Sequence, residues 1–339
     1  MHAVTIWASR ELRESSRRFG RTTPGRGHRP AAVGLIAALV ALVALAVAGC
    51  QPTTLVGFNG SRVALYEDRD VAYASVSPAQ RLDLYRPLHP DGKLPVVVLI
   101  HGGGFIGGDK SDLDDTAASL VAHGYAVANV NYRLAPEGVF PAPVVDVKAA
   151  IRWLRANAAG YDLDPARFGA LGESAGAYLA EMVGTWGHVA SPDDAALGNI
   201  NVPSTVRAVV DLFGPVDFTA IDGQLRADGC PASALTHDSP SGYESRLLGH
   251  QITTVPGLVW LANPLTYVGS GQVPPPFDIE HGQADCTVPY QQSEELANGL
   301  RAAGGQVDLT VVPGAGHGAS YPRGDRFPAI VAFLDRYVR

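Results

Sequence analysis

"FGALGESAGAYLAEMVGTW", residues 168–186, sets a serine between two glycines where one hydrophobic pattern gives way to another. The part before the serine is a short apolar run of strand type, and the part after it reads as a helix. A G-x-S-x-G pentapeptide at a strand-to-helix junction forces its serine onto a sharp, strained turn. The hydroxyl is then held out at the carboxyl edge of a sheet, and the flanking glycines let strand and helix close around it. The helix N-terminus adds positive potential where negative charge would develop. Ser174 is therefore the candidate nucleophile, the alternative being a glycine-flanked turn with a capping serine.

Working outward, the same alternation of strand and helix recurs. "LPVVVLI" (94–100) reads as a fully buried strand and "YAVANVNYRL" (125–134) as the next. The helix "DLDDTAASLVAHG" between them starts on acids and stops at Gly124. "PVVDVKAAIRWLRANAAG" (143–160) places Val147, Ile151 and Leu154 on one helical stripe with Arg152 and Arg155 turned away. "VRAVVDLFG", "PPFDIEHG" and "QVDLTVVPG" continue the strands, with helices near 288–304 and 326–338. "VAYASV" and "QRLDLYRP" form an early strand pair. Continuous apolar strands separated by helices predict an α/β fold, a mostly parallel sheet covered on both faces. Residues 215–272 break the rhythm, being rich in Gly, Pro and Ser, and read as an insertion before the strand that carries the catalytic acid.

A serine hydroxyl needs a base, and the base an orienting acid. With such an elbow the partners follow in the order Ser, Asp or Glu, His. Of ten histidines only His317, in "PGAGHGAS", follows both the serine and the candidate acid, on a glycine-rich loop after the last strand. Asp285, in "EHGQADCTVP", comes just after a strand end and is the expected acid. Glu280 and Asp278 are alternatives that fall within the strand, and a helix cap near Val288 is the other use for Asp285.

"HGGGFIGG", starting at His101, ends the buried strand at 94–100 with glycines that pack nothing and so serve through their backbone. A tetrahedral oxyanion needs N–H donors aimed at it in advance, which assigns Gly103, Gly104 and Ala175 to an oxyanion hole. His101 then fixes the loop. The phosphate-cradle alternative fails, since no lysine follows in P-loop spacing and the glycines do not match G-x-G-x-x-G.

The first 30 residues carry seven arginines and two glutamates and lead into "AAVGLIAALVALVALAVAGC", residues 31–50, the pattern of an export signal. Val47-Ala48-Gly49-Cys50 resembles a bacterial lipobox, so residues 1–49 are expected to be removed, Cys50 lipidated and 50–70 a tether before a single domain at 71–339. An uncleaved anchor is the alternative. Arg17-Arg18 leaves Sec and twin-arginine export both open. The whole chain carries 26 Lys and Arg against 33 Asp and Glu, and the part after residue 49 is more acidic still, which argues against nucleic-acid partners. Membrane association is expected through the lipid alone, placing the protein in the cell envelope. In that oxidising compartment the remaining pair, Cys230 and Cys286, is expected as a disulfide rather than two free thiols.

With HGGGF, "NYRLAPE", GESAG, the acid segment and PGAGHG in this order, the chain resembles the α/β-hydrolase esterases with an HGGG oxyanion loop. It is similar to the hormone-sensitive-lipase-like carboxylesterases, and more so to the bacterial feruloyl and acetyl-xylan esterase type, over about residues 75–338. The resemblance implies a serine esterase acting on a small-molecule ester, short-chain or carbohydrate-linked, with no metal and no organic cofactor. Two rivals remain. A serine peptidase of the same fold would need a site for a peptide amine, and a non-catalytic binding protein of this fold would not react with a fluorophosphonate probe.

Overall fold

The computed structural model describes residues 52–189, 192–269 and 272–339. The apolar run, the lipobox-like segment and Cys50 lie outside them. Strands β1 (Thr53–Val56), β2 (Arg62–Ala72), β3 (Arg81–Pro87) and β4 (Leu94–Ile100) precede helix α1 (Asp114–Ala122) and strand β5 (Ala126–Val130). Then come α2 (Ala142–Ala156), β6 (Leu163–Glu173), α3 (Ala175–Trp186) and β7 (Ala208–Leu212). Three short helices, α4 (Ile221–Ala227), α5 (Tyr243–Leu248) and α6 (Pro256–Ala262), lead to β8 (Phe277–Gly282), α7 (Gln291–Ala302), β9 (Val307–Val312) and α8 (Arg323–Tyr337).

Among the described residues the strands form one sheet in the order β1-β2-β3-β5-β4-β6-β7-β8-β9. β1 to β3 are antiparallel to their neighbours, and every pairing from β5 to β9 is parallel. All of β4 is buried because both faces are covered. Its side chains alternate between two cores, as the strand period of two requires. Val96, Val98 and Ile100 join Ile151 of α2 and Leu179 of α3 on one face, while Val97 and Leu99 join Leu120 of α1 and Leu334 of α8 on the other.

Three expectations are corrected. Residues 53–56 and 62–72 are strands of the sheet, not tether: β1 and β2 pair across Thr53 to Leu65, and β2 pairs β3. The strand read at 71–76 ends at Ala72, because the next turn is claimed by side chains, Gln80 Oε1 accepting from Val76 and Ser77 N–H. Arg152 does not face solvent but is buried at 2% exposure, since residues 192–197 pack over α2 and its guanidinium donates to the Gly198 carbonyl. Among the described residues the elements between β7 and β8 are helical, and they pack against α3, where Tyr178 donates to the Ala262 carbonyl of α6.

Candidate active site

Ser174 sits between β6 and α3 with φ 55° and ψ −121°, in the left-handed half of the map where a side chain is strained. The turn is held because the Ser174 N–H donates to Leu212 O of β7 while its own carbonyl accepts from Tyr178 N–H. Both flanking glycines are obligatory. A Cβ on Gly172 would collide with the Gly176 backbone, and one on Gly176 with the carbonyl of Ile100.

His317 Nε2 lies 2.9 Å from Ser174 Oγ, and Nδ1 lies 2.6 Å from Asp285 Oδ2. Asp285 follows β8 and is 2% exposed. Its Oδ1 accepts from the N–H groups of Thr287 and Val288, so the carboxylate caps that turn with one oxygen and meets the histidine with the other. Both contacts foreseen for Asp285, with the turn and with the histidine, are present. Burial alone would raise this carboxyl, but hydrogen bonds from His281 and His317 outweigh it and hold the pKa well below the usual carboxylate range. Glu280 is engaged elsewhere, accepting from Tyr321 Oη at 2.6 Å and from Arg326, and Asp278 stays within β8.

The glycine loop after β4 lines the same cavity as Ser174, Ala175 and His317. Gly103 and Gly104 adopt φ of 111° and 59°, which only glycine takes without strain. Ala175 is the first residue of α3, where helix N–H groups have no intrahelical acceptor. His101 is buried, stacks on Tyr132 at 4.5 Å and places Nδ1 2.7 Å from Gly102 O. Tyr132 in turn donates to the His101 carbonyl, and Ala135 N–H to Phe105 O, so the "NYRLAPE" segment buttresses the loop from below. Phe105 and Phe213 also have positive φ and, like Ser174, line the cavity, so backbone strain concentrates there.

That cavity holds about 510 Å³ and opens between the glycine loop and the insertion. Tyr243 of α5 lies against Gly104, where a Cβ would strike its ring. Buried His237 is bonded through Nδ1 to Glu244 at 2.8 Å, and burial, which would lower its pKa, is outweighed by that bond so that the pKa is raised. On the opposite wall Arg323 reaches Glu173 at 2.6 Å. Cys230 and Cys286 are disulfide-bonded, with Cα atoms 5.6 Å apart, which fastens the insertion to the residue after Asp285. Sequence reasoning missed Tyr243, His237 and Arg323, since a lone polar residue, whether in the insertion or at the start of a helix, carries no period. Among the described residues, no group of three or more His, Cys, Asp or Glu could hold a metal ion, and no helix is long and apolar enough to cross a membrane.

A mostly parallel sheet with a strained serine elbow after β6, and an acid and a histidine after its last two strands, β8 and β9, defines an α/β-hydrolase. The BD-FAE family model matches residues 82–300, and the chain belongs to that family. It is 31% identical over 255 residues to esterase LipQ of Mycobacterium tuberculosis, covering 73% of this chain and 56% of the relative. To esterase LipC of the same organism it is 30% identical over 278 residues, covering 80% and 65%. The chain thus spans between half and two thirds of the length of these curated relatives. Among solved structures it is similar to a truncated carbohydrate esterase from gut microbiota, with TM-score 0.69 and 31% identity over 80% of this chain and 95% of that one.

Proposed function

We propose that the chain hydrolyses carboxylic esters through an acyl-enzyme on Ser174, with short acyl groups carried on small or carbohydrate alcohols as substrates. The observation that carries this reading is the continuous hydrogen-bonded line from Ser174 Oγ through His317 to Asp285, opening on a cavity floored by Gly103, Gly104 and Ala175. Ser174 Oγ attacks the ester carbon as its proton passes to His317 Nε2. The carbonyl oxygen becomes an anion held by the N–H groups of Gly103, Gly104 and Ala175. His317 then hands the proton to the departing alkoxide. A water molecule repeats the sequence against the acyl-enzyme and frees the acid. Buried Asp285 keeps the proton of the resting imidazole on Nδ1 and supports the imidazolium that forms.

The substrate class is supported by polar groups in the cavity lining, Arg323, Glu173, His237 and Glu244, which suit hydroxyl-rich alcohols, and by the structural similarity to a carbohydrate esterase. Export and a lipid anchor on Cys50 belong to the same proposal, supported by the lipobox-like segment and in keeping with the Cys230–Cys286 bridge. The test is hydrolysis of p-nitrophenyl acetate and acetylated xylo-oligosaccharides by wild type and Ser174→Ala, alongside fluorophosphonate labelling. Full activity in folded Ser174→Ala overturns the mechanism, and release of peptide amines but not of esters overturns the reaction class.

A further inference from the structure

His281 is a fully buried histidine in β8 that takes no part in the reaction described above. Its Nε2 faces two acceptors, the Val288 carbonyl at 2.8 Å and Asp285 Oδ2 at 3.3 Å. Neither can donate, so Nε2 carries a hydrogen that is shared between them. Nδ1 lies 2.7 Å from Ser293 Oγ of α7, whose hydroxyl donates to it. Each polar atom of the ring has a partner, and two of those partners define the acid loop. Val288 is held through both its backbone groups, its N–H by Asp285 Oδ1 and its C=O by His281. The Asp285 oxygen that receives the catalytic histidine receives His281 as well.

We propose that His281 is a positioning residue, which through a single Nε2–H fixes both the loop 285–288 and the rotation of the Asp285 carboxylate toward His317. Without it the Oδ1 oxygen keeps its two backbone donors, but Oδ2 is held only by the imidazole it is meant to orient. The Val288 carbonyl then loses its buried donor, and the loop bonded to Cys230 through Cys286 gains freedom beside the site. The inference rests on the esterase reading for its kinetic arm and on the hydrogen-bond geometry for the rest.

The contrast that tests it is His281→Gln against His281→Asn in the full-length chain. A glutamine amide reaches the Nε2 position and keeps the donor, whereas an asparagine amide reaches only the Nδ1 position and keeps the Ser293 contact. Expected with p-nitrophenyl acetate is a loss of about tenfold or more in kcat for His281→Asn at little changed KM, since misplacing a group by under an ångström costs that much. His281→Gln should recover most of it. Equal kcat in the two variants, each corrected for its folded fraction, overturns the proposal. Ring nitrogen NMR on the histidine-labelled wild type decides even if His281→Asn fails to fold: hydrogen on Nε2 supports the assignment, and hydrogen on Nδ1 alone overturns it. Should the wild type cleave no ester, the esterase reading fails, while the NMR still judges the placement of His281.

Discussion

In the proposed mechanism Asp285 ties catalysis to acid stability. Its folded pKa lies below the ordinary carboxylate value, so its contribution to stability is fully present above that value and is lost as pH falls toward the depressed one. Asp285→Asn removes this term. The wild type is therefore expected to lose melting temperature on acidification below about pH 4 more steeply than Asp285→Asn. At neutral pH the same variant should drop kcat by about 10³ to 10⁴, because an amide there favours the wrong imidazole tautomer. Parallel melting curves for the two proteins across the acid range would reject the stability half. Ser174, Asp285 and His317 were legible because each occupies a strand end in an order the chemistry demands. Asp285 was the hardest, since an acid two residues before a turn N–H also reads as a cap, and the structure makes it both. His281 was invisible: a lone histidine inside a strand has no pattern, and its role depends on Val288 and Ser293, which only the folded loop brings to it.

Where α3 packs on β7, two carboxyls meet with no cation between them. Glu181 and Asp211 are fully buried, and Glu181 Oε1, Oε2 and Asp211 Oδ2 find no donor, which requires the pair to hold a proton. Burial, and then Asp211, raises Glu181 well above its ordinary value, and burial pushes Asp211 up to about 6. Asp278 on neighbouring β8 is pushed to about 7 by burial, Glu280 and Asp308. Raised carboxyl pKa values make the folded state bind protons the unfolded chain has released. Stability from these groups is thus fullest below about pH 4 and declines as pH rises through 6 to 7. Glu181→Gln should therefore melt higher than wild type at pH 8 and show a smaller fall between pH 5 and about 8; an equal fall in both would refute the shared proton. The bridge between the insertion and the acid loop makes a second prediction. Closing residues 230 to 286 should contribute about 4 kcal/mol, so Cys230→Ser should lower the melting temperature, and denatured, unreduced wild type should show neither of these thiols free. The apolar strands β4, β5, β7 and β8 were legible because parallel strands inside the sheet are covered on both faces. β2 was not: its alternation of charged and half-buried residues, RVALYEDRDVA, belongs to a sheet margin with one wet face, and resembles a linker until its partner strand is known.

The molecule as a whole is proposed to work from a membrane surface on small-molecule esters. If Cys50 carries lipid, mass spectrometry of the membrane fraction should find a mature N-terminal peptide that starts there with acyl chains attached, two or more being needed for stable anchoring. An unmodified N-terminus at another residue would reject the anchor. The proposed acyl preference rests on the cavity over Ser174. A long acyl chain gains about 0.8 kcal/mol for each methylene only where an apolar wall removes that methylene from water. Here Phe105, Leu113, Phe213 and Val288 share the lining with Asp112, Glu173, His237 and Arg323. Added methylenes past the first few would lie against charged or hydrated groups and still lose rotational freedom on binding. Acetyl and butyryl esters are therefore expected to give the highest kcat/KM, with a decline toward palmitoyl. The polar groups that discourage long chains would meanwhile bond the hydroxyls of a sugar alcohol, so an acetylated xylo-oligosaccharide should exceed ethyl acetate in kcat/KM. The acyl series and this pair of acetates, measured on one preparation, separate the two parts of the argument. A rise in kcat/KM continuing beyond eight carbons would mark a lipid-binding wall and reject the first part, and equal values for the two acetates would reject the second.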